Sequence, residues 1–168
     1  MATKTGTTIL LGFAACLVAS GVLAKGPWRS YFNDRFGVTA DTPADWKMGP
    51  APENNDGRVF TSLDGSATIT ISGSFSALSY DEEVAIKTAP EGGVATYKKI
   101  TPRLLVVSGT RGDRIFYRKS ILSCHDTVWN DLVIEYPAAE KAKYDALVAH
   151  VSGSLHPGPG YDFNGKCK

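Results

Sequence analysis

Residues 94–136 read VATYKKITPRLLVVSGTRGDRIFYRKSILSCHDTVWNDLVIEY. Four strand-like runs lie in this stretch: Val94–Ile100, Leu104–Gly109, Arg114–Cys124 and Thr127–Tyr136. Thr101-Pro102, Arg111-Gly112-Asp113 and His125-Asp126 separate them. Connections this short cannot carry a parallel crossover, so each strand must turn back on the one before it. The stretch predicts an antiparallel meander. Leu132, Ile134 and Tyr136 share one face of its last strand.

Downstream, Pro137 pre-sets a helical φ and Glu140 sits in the first turn of a predicted helix. Tyr144, Leu147, Val148, Val151 and Leu155 recur at helical spacing as its buried stripe. Ser152-Gly153 or His156-Pro157 ends it. Upstream, Ser79-Tyr80-Asp81-Glu82 is a capping box that opens a shorter helix. That helix runs to Thr88 and stops before Pro90-Glu91-Gly92-Gly93. Earlier still, Arg58–Leu63 and Ser66–Phe75 are strands around Leu63-Asp64-Gly65-Ser66, where Asp-Gly predicts a two-residue type I′ turn. Residues 49–57 form a loop by composition. Phe36, Val38 and Ala40 alternate as in a half-buried strand that Pro43 ends, Asp45–Met48 is a second short strand, and Trp28 to Phe36 is an aromatic lead-in. Four short strands, a helix, a four-strand meander and a long helix give an α+β chain: a single antiparallel sheet covered by helices.

The 168 residues are 43% hydrophobic and 21% charged, too apolar for disorder and sized for one domain. The net charge of +1 leaves no electrostatic footprint of a nucleic-acid binder. The one long apolar run is N-terminal, which excludes a multi-spanning membrane protein. Lys4 followed by Ile9–Leu23 and Val22-Leu23-Ala24 has the order of a secretory signal: charge, apolar run, small-residue site. Cleavage after Ala24 is expected. An uncleaved anchor and lipidation of Cys16 are the alternatives, each weakened by a feature of the run: it is short for a span of about 20 residues, and it continues past Cys16. Residues 1–24 are thus a signal, 25–156 one α+β domain, and 157–168 a tail. The mature chain is expected to be periplasmic or secreted, with no stable membrane insertion.

Cleavage leaves Cys124 and Cys167. An exported chain meets an oxidising compartment, where two thiols pair. Such a bond would hold the Pro-Gly-rich tail against the body; two free thiols are the alternative. Cys124-His125-Asp126 holds the side-chain types of a thiol-nucleophile site, but neighbours on an extended chain point to opposite faces, and a disulfide removes the thiolate. No Gly-x-Ser-x-Gly elbow, His-Glu-x-x-His or phosphate-binding glycine loop occurs. Glu53-Asn54-Asn55-Asp56-Gly57 hints at a calcium loop, but Pro52 and Leu63 then stand where ligands belong. No catalytic, cofactor or metal residue is therefore assigned. Arg111, Arg114, Arg118 and Lys119 cluster around one hairpin, with Lys98, Lys99 and Arg103 near the preceding turn. They are either a surface for an anionic ligand or an acidic partner, or charges that protect an edge from aggregation. Trp28, Trp46 and Trp129 are core residues or stacking platforms; Trp129 either packs under a helix or is exposed.

Asn33-Asp34-Arg35-Phe36-Gly37-Val38-Thr39-Ala40-Asp41-Thr42-Pro43-Ala44-Asp45-Trp46 resembles the opening of PsbP-like domains, in which a Phe-Gly strand runs into a Pro-x-x-Trp turn. The strand order, the capped central helix and the C-terminal helix extend the resemblance over residues 28–155. It implies an α-β-α sandwich, usually not an enzyme, found in extracytoplasmic or soluble accessory proteins that dock on larger assemblies. One branch stabilises the photosynthetic oxygen-evolving complex. The cysteine pair and the Pro-Gly tail depart from that pattern, and no docking residue transfers. The expectation is an exported, non-enzymatic accessory domain that binds an as yet unidentified protein through Arg111, Arg114, Arg118, Lys119 and Trp129. A small-ligand or envelope-carbohydrate binder using the Trp residues and the 49–57 loop is the alternative, and a small hydrolase around His125 or His150 a third.

Overall fold

In the computed structural model, which describes residues 27–158, 161–162 and 165–167, the meander forms one half of a seven-stranded antiparallel sheet. The signal reading of residues 1–24, and Cys16 within it, lies outside the described residues. In chain order the elements are β1 (Trp28–Phe32), β2 (Thr39–Pro43), β3 (Lys47–Met48), β4 (Gly57–Thr61), β5 (Thr68–Phe75), α1 (Tyr80–Thr88), β6 (Val94–Thr101), β7 (Leu104–Arg111), β8 (Arg114–Ser123) and β9 (Val128–Pro137). A 3-10 turn (Ala138–Glu140), α2 (Lys141–Ser154), β10 (Tyr161–Asp162) and β11 (Gly165–Lys166) follow. The sheet order is β3-β4-β5-β9-β8-β7-β6. The architecture is α+β.

The two-residue period sorts the sheet's side chains onto two faces. Ile69 stands opposite Ile134, and Ile71 opposite Leu132. With Tyr136, Phe60, Val38 and Ala40 they pack against Tyr144 and Val151 of α2 and Leu155 just past its end. The apolar stripe read at helical spacing is therefore the covering face, with Leu147 and Val148 half-buried at its margin. Burial of each such side chain contributes roughly 1.5–3 kcal/mol. The other face carries Trp129, Leu122 and Leu105, with Val84 of α1 packed on them.

Several expectations need correction. β1 and β2 pair only with each other, outside the main sheet. This hairpin lies beside α2: the Asp41 N–H donates to Ser154 Oγ (2.8 Å), and Thr39 and His156 exchange backbone hydrogen bonds. The aromatic lead-in is thus itself a strand, and the second strand begins at Thr39, because Asn33 Oδ1 accepts from the Phe36 N–H and holds residues 33–37 in a turn. The Leu63–Ser66 connection is not type I′: Gly65 alone adopts positive φ (72°), and the Gly65 N–H donates to Ser62 O while Asp64 accepts from Ser62 and Ser66. Asp64 Oδ1 holds a longer loop than the dipeptide implies. Pro137 ends β9, and α2 starts only after the 3-10 turn. The tail carries a small hairpin, β10–β11. The capping box is present as read: Ser79 Oγ accepts from the Glu82 N–H, and the Ser79 N–H donates to Glu82 Oε2 (3.0 Å).

Candidate interaction edge

β6 is the last strand of the sheet. β7 pairs with one of its sides, and no described strand pairs with the other. α1 lies over β7 and α2 over β8 and β9, and α1 meets β6 through Tyr80 at the Thr101 end. The strand is otherwise exposed on both faces. Val94, Tyr97 and Ile100 are exposed, Val94 by 64%. Register places Lys98 and Ile100 on the α1 face, Tyr97 and Lys99 on the α2 face. Among the described residues, neither Lys98 nor Lys99 forms an ion pair. A bulge between Ala95 and Tyr97 twists the strand. Gly109 permits the close β6–β7 approach, since a Cβ there would lie 1.9 Å from Val94 O.

An open cleft of about 680 Å³ adjoins the Ile100 end of β6. Leu78, Tyr80, Ile100, Pro102 and Leu122 supply its apolar wall, and Asp126 lies at its polar side. The wall is anchored. Glu83 Oε1 accepts from the Ala77 and Leu78 N–H groups, and the Tyr80 hydroxyl donates to Thr101 O (2.8 Å). Hydrogen bonds from the Ser79 hydroxyl and backbone hold the Glu82 carboxyl below the usual carboxylate range. Opposite, Arg103 donates twice to Asp126, at 2.8 and 3.2 Å.

Asp126 belongs to the β8–β9 turn, where Cys124, His125 and Asp126 all adopt left-handed φ (54°, 55°, 66°). Each costs about 1–2 kcal/mol relative to ordinary backbone. Hydrogen bonds from the Thr127 N–H and hydroxyl to Cys124 O hold the turn from within. The Cys124–Cys167 disulfide, with Cα atoms 5.4 Å apart, ties the tail to it as expected. Bonded sulfur leaves Cys124 no thiolate.

The predicted partner residues do not converge. Arg111 donates to Glu135 (2.8 Å), lies 3.8 Å from Glu91 and packs over the Phe116 ring. Arg114 stands opposite Arg111 at the β7–β8 turn. Arg118 and Lys119 point to opposite faces: Arg118 donates to Lys87 O at the end of α1 (3.2 Å), and Lys119 to Ser152 O at the end of α2 (2.6 Å). Both thus satisfy C-terminal helix carbonyls with a cation. Partial burial lowers the Lys119 pKa. Trp129 must be removed from the surface. It is 0% exposed, stacked near Tyr80 and beneath Lys87 Nζ, 5.1 Å from the ring centroid. It sits on the α1 face of β9, directly under that helix.

Among the residues of the carbohydrate and hydrolase readings, His125 is exposed in the β8–β9 turn. Trp46 is buried, and Trp28 stacks on His150 at 3.9 Å. His150 Nε2 lies 3.0 Å from Asp41 Oδ2. The 49–57 loop is stitched to the first turn: Asn55 donates to Asp34, Asn33 donates to Asn55 O, and Arg35 donates to Asn54 O. Among the described residues no group of three or more His, Cys, Asp and Glu gathers as a metal site.

No family model matches the chain, and no curated protein matches it either. Among solved structures, it is similar to the solution structure of cyanobacterial PsbP (CyanoP) from Synechocystis sp. PCC 6803. The TM-score is 0.58 over 84% of this chain and 98% of that one, at 12% identity. The fold is PsbP-like. The PsbP-like resemblance read from residues 33–46 therefore holds for architecture, and at this identity it reaches no further. What sequence reasoning missed within the PsbP-like frame is the exposure of β6 and the cleft beside it. The signal was available, since Val94–Ile100 opens the meander, where one side of a strand can stay unpaired, and carries Lys98-Lys99.

Proposed function

We propose that the chain is an exported, non-enzymatic accessory module that acts by protein–protein contact, with the α-β-α layering of PsbP-like domains as its scaffold. The observation that carries this reading is β6, an edge strand whose Val94, Tyr97 and Ile100 face solvent beside an apolar cleft. Exposed backbone donors and large apolar groups together are what a binding surface presents. Export is supported by the charge, apolar run and small-residue site of residues 4–24 and by the disulfide, which suits a periplasmic or secreted setting. No cofactor, nucleic acid or stable membrane insertion belongs to the proposal. Among the described residues no helix is long and apolar enough to cross a membrane.

The test is affinity capture of the tagged mature protein from its native envelope, with subcellular fractionation alongside. One stoichiometric partner and an envelope or secreted location support the reading. A clean monomer without a partner, or intact cytosolic protein that retains its first residues, overturns it.

A further inference from the structure

We propose that β6 takes up an extended acidic segment of a partner protein as an eighth strand of the sheet. This rests on the accessory reading above and names the docking surface and the partner's chemistry. An edge strand offers a row of unpaired N–H and C=O groups, and main-chain pairing there supplies affinity, while pockets for alternate side chains supply selectivity. Both parts are present. Alternate residues of the eight-residue β6 turn their backbone groups to the open side, Thr101 O being taken by Tyr80, and the cleft walled by Leu78, Tyr80 and Ile100 lies where the strand ends.

Charge selects the occupant. Lys98 and Lys99 point to opposite faces of the strand, are exposed, and find no carboxylate among the described residues. Arg103 is paired with Asp126 and Arg111 with Glu135, while Lys119 donates to Ser152 O. An incoming strand with carboxylates at neighbouring positions meets one ammonium on each face. A second copy of this chain fits worse. Antiparallel β6–β6 pairing in full register gathers four ammonium groups in the central rungs, which is like-charge repulsion. The two lysines thus discourage self-pairing and favour an acidic strand by the same interaction.

The probe is a pooled set of nonapeptides with Asp or Glu at two adjacent central positions, one for each face of the strand, and Val, Ile, Leu, Phe or Tyr at the flanking positions. It is compared with a Lys-substituted set and with an acidic set N-methylated at alternate residues. Binding to the full oxidised chain is read by affinity selection and by amide hydrogen exchange. The expected result is enrichment from the acidic set alone, slowed exchange within residues 94–101, and loss on N-methylation. In the Lys98→Glu/Lys99→Glu variant, affinity for the selected acidic peptides falls about tenfold or more. Both positions are solvent-exposed, and an unchanged thermal melt shows that the variant is folded. Enrichment of basic peptides, protection elsewhere, binding that survives N-methylation, or no selection from the acidic set overturns the proposal. If the partner captured from the envelope binds the double variant as tightly as wild type, the strand-addition proposal falls and the accessory reading stands. If wild type captures nothing, the accessory reading falls as well.

Discussion

Replacing Asp131 with Ala tests how the α1 face is held. Asp131 accepts from Lys87 Nζ at 2.8 Å, and the two side chains are only 13% and 10% exposed. Its other oxygen accepts a short hydrogen bond from Ser120, which is fully buried. Truncation therefore strands an ammonium and a hydroxyl together. Breaking one side of a buried pair costs about 3–5 kcal/mol, and an orphaned hydroxyl about 1–3 kcal/mol. Lys87 lies in the last turn of α1, so its four-carbon stem can carry the charge toward solvent and relieve part of this. The expected loss is about 4 kcal/mol, a large share of a typical domain's ~5–15 kcal/mol. At a urea m-value of ~2 kcal/mol/M the midpoint drops by about 2 M. Lys87→Met/Asp131→Leu removes both charges and is expected to lie within about 2 kcal/mol of wild type. Urea unfolding of the oxidised protein, followed by circular dichroism, reads both variants. An Asp131→Ala protein within ~1 kcal/mol of wild type would refute the reasoning, as would a double variant no more stable than that single one.

Three further outcomes are expected. The Cys124→Ser/Cys167→Ser protein loses up to about 4 kcal/mol in urea, because the bond closes a loop with a sequence separation of 43 residues; unchanged stability contradicts this account. Gly109→Ala drives a methyl against Val94 O and Ala95, costs about 1–3 kcal/mol, and speeds amide exchange in residues 94–101 before other strands; uniform exchange would count against a local cause. Hydrogen bonds from the Ser62 hydroxyl and then Ser66 hold the Asp64 carboxyl well below its usual range, and those from Ser79 lower that of Glu82. A lowered native pKa gives stability that is complete above the unfolded value and disappears as pH falls through the native one. Melting temperature should therefore drop more steeply below the ordinary carboxylate range in wild type than in Asp64→Asn/Ser79→Ala, and parallel curves would contradict this.

Local signals proved readable where the physics was local. The meander follows from turns too short for any crossover, α1 from Ser79 and Glu82 three residues apart, and α2 from five apolar positions on one stripe. Arg118 and Lys119 were divisible by the same period-two rule, because adjacent residues on β8 cannot share a face. What stayed hidden depends on distant neighbours. WRSYF shows no alternation, and becomes a strand only through its pairing with Thr39–Pro43. Whether Trp129 was core or surface turned on where α1 lands. Lys98 and Lys99 show their significance only once α1 is seen to lie over β7 and α2 over β8 and β9, leaving both lysines exposed.

The centre of the sheet has a kinetic consequence. β5 joins β9 there, with Ile69 opposite Ile134, although α1 and three strands intervene between them in the chain. Residues 94–137 can zip from one turn to the next in small, fast loop closures, whereas the N-terminal strands must wait until β9 is in place to receive them. Refolding should be limited by that late docking, and until it happens the half-built molecule exposes Leu132 and Ile134, the groups most prone to draw in other unfolded chains.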